Sequence, residues 1–373
     1  MLILLLACLN STNKTNDTDS DGPPVPDCDA AAFDGVLPLD PDGPDTQIHI
    51  ASAFDGERIW MAWNRPSPSG AFQVFVSAMD CDGTVQVAPF RVDTGPENQL
   101  DPALAVNGDR VLVAWQSDNS NFPDNLDLRY RVLDRVDGAP VNEVIELAPT
   151  RAGQLFTGNL WMASVAADGD GWVLAGTAGV DGGFRAFLVE LDADGMTLGD
   201  LIEPLPDPSI TQQVPQVVVD SEGTAHLVFL GSGEVDEAYY SEDGGPAVSM
   251  GEGSFPSIGA QGRFIGFSRQ GAVWFGPLGS PQAVGPDGNA VAVGAAGAGG
   301  FVGWYKNVSG FANEIKIARF DASGVVGARL DLGTQTAAPY GWNLTPISES
   351  LVFVAWQEGE SPAFRTYGKF IRP

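Results

Sequence analysis

Positive charge is scarce in this chain. Four Lys occur in 373 residues, and the 19 Lys and Arg together face 48 Asp and Glu, for a net charge of −29. That balance excludes a nucleic-acid partner, because each phosphate contact needs a cation that releases counterions. Histidine is scarcer still. His49 and His226 are too few for a three-His zinc site, and Cys8, Cys28 and Cys81 cannot supply a four-Cys one. Long apolar runs are missing as well. The longest uncharged one beyond the first residues, Ala290 to Trp304, has Gly297, Gly299 and Gly300 in its middle and reads as strand, turn, strand rather than a membrane span. With 44% hydrophobic and 18% charged residues, the chain nonetheless has enough apolar side chains for a large core, which excludes a disordered polymer.

Helical periodicity is nearly absent, while short β-branched and aromatic runs recur between Gly, Asp, Asn and Pro turns. Seven of these runs align on their ends: Ile59 to Trp63, Val111 to Trp115, Trp172 to Gly176, Ala225 to Phe229, Arg263 to Phe267, Gly300 to Trp304 and Phe353 to Trp356. A strand of small residues precedes each one, beginning at Gln47, Gln99, Asn159, Gln213, Ser254, Asn289 and Tyr340. Tight turns such as Asp55-Gly56, Asn107-Gly108 and Glu222-Gly223 join the two. A third and a fourth strand follow across turns such as Asp82-Gly83, Asp137-Gly138, Asp194-Gly195 and Ser323-Gly324, where Gly supplies positive φ. Four antiparallel strands repeated seven times predict an all-β, seven-bladed β-propeller. The seventh repeat stops at Pro373 after its third strand, Phe364 to Ile371. The segment Gly35 to Leu39 is the expected donor of the missing one, completing the last blade, and Pro38 is tolerable on an outer edge.

Leu5-Leu6-Ala7-Cys8 closes a short apolar run and resembles the bacterial lipobox, whose Cys is acylated after signal cleavage. The run is shorter than the usual 7 to 15 apolar residues of a signal segment and has no basic flank, so the true start is expected upstream. The resemblance implies a surface lipoprotein with lipid on Cys8. Leu9, where many inner-membrane lipoproteins have Asp, implies sorting to the outer membrane or cell surface. The expected organisation is a signal segment over 1–7, a lipidated Cys and acidic disordered tether over 8–34, and the propeller over 35–373. Nine Asp and one Lys lie between Leu9 and Asp45, a composition that cannot offset its ordering entropy by burial. Asp17, Asp19 and Asp21 alternate ahead of Gly22 in a calcium-loop spacing, yet Cys28 stands where a bidentate Glu is needed; a plain spacer is the favoured reading over calcium. Apart from that weak calcium candidate, no cofactor is expected. After lipidation of Cys8, Cys28 and Cys81 are an even pair in an exported protein and are read as a disulfide, with two free thiols as the alternative.

Ser241-x-Asp243-x-Gly245 in the fourth repeat resembles the Asp-box of bacterial neuraminidase repeats, although Pro246-Ala247 replaces the family's Thr/Ser-Trp end. The resemblance supports a propeller and brings no activity, because that turn is structural. Sialidases of this architecture grip a carboxylate with three Arg at the centre of one face. No first strand here carries Arg or Lys, and Asp101 is their sole carboxylate, so sialidase activity is not expected. His226 lies in an apolar strand and reads as a core residue. His49 has the position to face the channel but no nucleophile is nominated beside it.

Trp63, Trp115, Trp304 and Trp356 recur at one strand end and are read as packing between blades. Ligand contacts are expected instead on the face where first strands begin, from Asn64, Arg65, Asp118, Asn121, Phe122 and Phe311 in the loops and from Trp161 and Trp342. The expected function is that of a non-catalytic surface lipoprotein binding a protein or a glycan through this face. A polysaccharide-active hydrolase or lyase is the alternative, and a purely structural envelope component is a third. Cys8→Ser is expected to shift the protein from the membrane fraction to the soluble fraction; retention in the membrane would refute the anchor.

Overall fold

The computed structural model describes residues 28–373 except 119–125, 181–182, 260–261, 287, 310–311, 337–341 and 361–362. Seven antiparallel sheets follow one another along the chain and form a seven-bladed propeller. Blade 1 shows the plan: Ile48–Phe54, Arg58–Pro66, Phe72–Asp80 and Val85–Arg91, paired in sequence order. The first strands of blades 2 to 7 are Asn98–Asn107, Leu160–Asp168, Thr211–Val219, Ser254–Ile258, Asn289–Ala296 and Trp342–Pro346. Blade 3 departs from the expected plan. Its sheet has three strands, and the fourth place is held by isolated pairings of Thr197 with Leu191 and Ile202 with Leu188.

The second strands show why the sequence reads as continuous apolar runs. Ile59 to Trp63 and Val111 to Trp115 are each at most 1% exposed, because every blade is covered on both faces by its neighbours. Alternate side chains therefore belong to different cores: Trp60 and Ala62 pack with Val111 and Val113 of blade 2, whereas Ile59, Met61 and Trp63 pack with Leu351, Phe353 and Ala355 of blade 7. Among the described residues, seven apolar clusters fill the seven junctions between blades. Trp63, Trp115, Trp304 and Trp356 are all buried in them.

Ring closure uses the front of the chain. Leu37–Pro38 pairs antiparallel with the third strand of blade 7, Ala363–Ile371, through Leu37 to Gly368 and Pro38 to Tyr367. The Leu39 N–H adds a bond to Thr366 O, and Gln47 N–H one to Phe364 O. Asp40 is then buried at the blade 7–blade 1 junction, where Arg65 Nη1 (2.8 Å) and Trp63 Nε1 (3.3 Å) donate to its carboxylate. Burying that charge is tolerable only with such partners. Cys28 and Cys81 are joined by a disulfide, closing a separation of 53 residues. Cys81 lies in the turn after the third strand of blade 1, so the bond holds the helical turn Cys28–Ala31 at the end of the disc opposite the starts of the first strands. Among the described residues no helix is long and apolar enough to cross a membrane.

Two outcomes are expected. Deleting residues Gly35 to Leu39 should lower the thermal midpoint far more than deleting 10 to 26, since only the former bares a sheet edge and empties part of a core; equal losses would contradict strand exchange. Turn carboxylates should also make the fold acid-sensitive. Asp321 is held below its ordinary 3.8 by the Ser323 hydroxyl first and the Val325 N–H next, and Asp220 by the Thr224 N–H first and the His226 ring next. A carboxyl depressed in the folded state stabilises the fold above its unfolded pKa and loses that contribution as pH falls through its folded value. Stability in urea is therefore expected to decline below about pH 4, less steeply in Asp321→Asn; stability that rises on acidification would overturn this.

Candidate functional site

The first strands surround the axis, and six of the seven begin with an irregularity. Register slips by an extra residue between Ile48 and Ala51, Leu100 and Ala103, Trp161 and Ser164, Gln213 and Gln216, Ser254 and Ser257, and Asn289 and Ala292. These are β-bulges at one structural position in six blades, and bulges re-aim side chains. In five of them a non-glycine residue takes left-handed backbone: His49, Asp101, Met162, Val214 and Phe255, with φ between 49° and 57°. Such a conformation is uncommon, and for β-branched Val214 it is a real outlier. Pro102, Pro215 and Pro256 follow three of these residues and would by themselves push the preceding backbone towards an extended form. Strain of this kind persists only where the surrounding structure over-determines it, and it gathers at sites of function.

All five side chains border a cavity of about 680 Å³ on the axis, to which every blade contributes. Among the described residues His49 and Asp101 are the ionisable ones on its lining, and no described Arg or Lys lines it. They stand on adjacent blades with His49 Nδ1 2.7 Å from Asp101 Oδ1, close by distance although not aligned as a hydrogen bond. The His49 N–H donates to Gln357 Oε1 of blade 7, which pins the bulge from behind. Met162, Val214 and Phe255 face the pair from blades 3 to 5. The mouth is therefore polar on one side and apolar on the other.

Buried amides just outside this ring tie blade 7 to blade 1, blade 1 to blade 2 and blade 3 to blade 4. Gln47, Gln99 and Gln212, at the starts of first strands, each accept an N–H from the third strand of the preceding blade, namely Thr366, Val74 and Ala186. Their Nε2 groups donate to Asp40 O, Asp93 Oδ2 and Leu205 O. An unmatched polar group at such depth would cost about 1–3 kcal/mol.

The predicted ligand residues separate in this setting. Trp342 lines the cavity. Trp161 is 8% exposed, packed edge-on against Phe184 with ring centres 4.7 Å apart. Asn64 is fully buried and donates to Gln99 O of blade 2, and Arg65, 24% exposed at the side chain, is turned to Asp40 of the closing segment with its guanidinium over the Phe75 ring; both link blade 1 to its surroundings. Asp118 is half-buried at the end of its strand. Asn121, Phe122 and Phe311 lie outside the described residues, as do Cys8 and the calcium candidates Asp17, Asp19 and Asp21. Among the described residues no group of three or more His, Cys, Asp or Glu is gathered for a metal.

His226 sits far from the mouth, 6% exposed, between Tyr240 Oη (2.8 Å) and Asp220 Oδ2 (3.1 Å). Blade 4 holds two Tyr–Glu hydrogen bonds, Tyr239 to Glu237 and Tyr240 to Glu242. Neither tyrosine lines the cavity, and burial, ahead of the adjacent carboxylate, pushes both hydroxyls up, Tyr239 to about 12. In the neighbouring turn Asp243, at φ 48°, accepts the Ala225 N–H at 2.7 Å while Ser241 Oγ donates to Gly245 O at 2.6 Å, so side chains close the hairpin.

No protein-family model and no curated protein matches the chain. Solved structures do. A protein of unknown function from Dyadobacter fermentans is 11% identical, with 90% of this chain and 97% of that one covered at a TM-score of 0.59. The Fusarium graminearum α-L-arabinofuranosidase is 10% identical over 92% of this chain and 97% of that one, with a TM-score of 0.52. The Trypanosoma rangeli sialidase is 11% identical over 91% of this chain and 57% of that one, with a TM-score of 0.53. At these identities the likeness shows a common fold, with neuraminidase- and glycosidase-type propellers among its neighbours.

The pairing of His49 with Asp101 was not visible in the sequence, since 51 positions separate them. A faint signal was there: Asp101-Pro102, Val214-Pro215 and Phe255-Pro256 place Pro at the same point of three first strands, where a regular strand would not accept it.

Proposed function

We propose that the protein is a non-catalytic surface lipoprotein that binds a protein or glycan ligand at the mouth of the propeller axis. The observation that carries this reading is the composition of the cavity. It has the size of a ligand site and a strained rim, but among the described residues a single carboxylate lines it. Most glycoside hydrolysis needs two carboxyl groups, about 5 to 9.5 Å apart, on either side of the scissile bond. Among the described lining residues Asp101 has no such partner, and none is an Arg or Lys that could clamp an anion. The turn around Ser241, Asp243 and Gly245 supports an Asp-box kinship as a matter of scaffold only.

The attachment of the front of the chain fits display. The bond to Cys81 holds Cys28, the first described residue, at the end of the disc opposite the mouth. A lipid on Cys8 would thus hold the mouth away from an outer membrane or cell surface.

A polysaccharide-active enzyme is the second reading. It is favoured by the sialidase and arabinofuranosidase that share the fold, and by the His49–Asp101 contact at the axis. Turnover separates the two. The full chain is expected to release no product from a sialoside or from arabinan, with Asp101→Asn indistinguishable from the native protein; Asp101-dependent hydrolysis of either would replace the binding reading by the enzymatic one.

A further inference from the structure

The hydroxyl groups of the channel favour one ligand class over the other. Three Ser line the cavity, and all three are engaged across blade junctions. Ser52 Oγ donates to Asn343 Oδ1 (2.7 Å) and lies 2.6 Å from Thr345 Oγ1, joining blades 1 and 7. Ser164 Oγ accepts the Val217 N–H at 3.1 Å, joining blades 3 and 4, and Ser257 Oγ accepts the Val293 N–H at 3.0 Å, joining blades 5 and 6. The throat between these contacts is walled by Leu104, Val165, Val217, Val291 and Leu344, with the amides of Gln216 and Asn343 also on the described lining. A sugar seated there would meet few polar groups beyond those amides and the three Ser, and each hydroxyl left unmatched is unfavourable by about 1–3 kcal/mol. Apolar carbon has no such difficulty.

The rim adds a charge preference. Asp101 is 43% exposed at the side chain, and among the described lining residues its only ionisable neighbour is His49. An exposed carboxylate with no described Arg or Lys on the lining favours a cation there and disfavours an anion. We infer that the axial cavity takes an apolar stem bearing a cationic head, the head on the Asp101 carboxylate and the stem passing Met162, Val214 and Phe255 at the mouth into the throat of Leu104, Val165 and Val217. The amino-terminal residue of a polypeptide with an aliphatic side chain has this chemistry. The inference rests on the binding function proposed above and decides it in favour of a protein ligand over a glycan.

Hexylammonium is the simplest probe, with butylammonium and pentylammonium for stem length, hexanoate for head charge, and a neutral arabino-oligosaccharide for the competing class. The methyl resonances of Met162 and Ile50 in the full chain report occupancy at the mouth and in the throat. Saturable shifts are expected with the alkylammonium ions, tightening about fourfold for each added CH₂, and no saturation with hexanoate or the oligosaccharide. Asn accepts left-handed backbone, so Asp101→Asn is expected to fold and to weaken hexylammonium by about threefold to tenfold. His49→Asn removes the competing imidazole and is expected to tighten it, a change of opposite sign that general damage to the rim would not produce. Affinity that is flat with stem length, or indifferent to Asp101→Asn, would overturn the inference. Saturation by the oligosaccharide alone would overturn it while leaving the binding function standing. Silence from every probe would overturn it too, and the turnover assay then decides separately between binding and catalysis.

Discussion

Apolar burial in this protein is divided among the junctions between blades, and each junction needs two adjacent sheets. No blade has a core of its own. The junction between blades 7 and 1 is the one that chain order cannot form locally, since Phe353 and Ile59 are 294 positions apart yet share a cluster. The other six junctions join sheets that are consecutive in the chain. The structure brings an unusual number of devices to that single place: a strand exchanged from the front of the chain, a buried Asp40–Arg65 ion pair, the Gln47 amide bonds to Thr366, and a disulfide. A closed ring also gives each first strand a neighbouring first strand on both sides, and together they enclose the axial cavity.

The acidic composition has a structural cause alongside any bearing on partners. Hairpin after hairpin is closed by an Asp whose Oδ1 accepts the N–H groups two to four residues on: Asp55 from Glu57 and Arg58, Asp134 from Val136, Asp192 from Asp194 and Met196, Asp220 from Glu222 and Thr224, Asp321 from Ser323 and Val325. Asp does this readily because its short side chain folds back on its own turn. A protein made of many tight turns thereby gathers carboxylates at the end of the disc where these hairpins lie. Buried Asp55 also takes the Trp60 indole N–H, so a single residue links turn geometry to the packing of the first junction.

The mouth follows a different logic. Bulges at one position in six blades interrupt the alternation of each affected strand at the axis, and the residues placed there differ from blade to blade. Around the rim His49 and Asp101 give way to Met162, Val214 and Phe255. Blade packing is conserved from unit to unit within this chain, whereas the rim is where the units differ. A scaffold able to change its rim without disturbing its junctions suits fold neighbours with unlike activities.

Strand order, the number of blades and the exchanged strand were readable along the chain, because period-two patterning, turn chemistry and the count of repeats are local properties that closure then constrains. The odd fourth place of blade 3 was not, for its pairings are isolated bridges without a strand pattern. Nor was the fate of Asn64 and Arg65. Both look like loop residues by composition, yet each lies at a blade end whose neighbour supplies a partner, Gln99 O for one and Asp40 for the other. By itself the sequence determined the propeller and the way its ends meet, since strands, turns and apolar runs report on their own neighbourhoods. Only the tertiary structure decided what faces the axis. A bulge reverses the inside–outside alternation on which strand reading depends, and the contact between His49 and Asp101 exists only because two blades stand side by side.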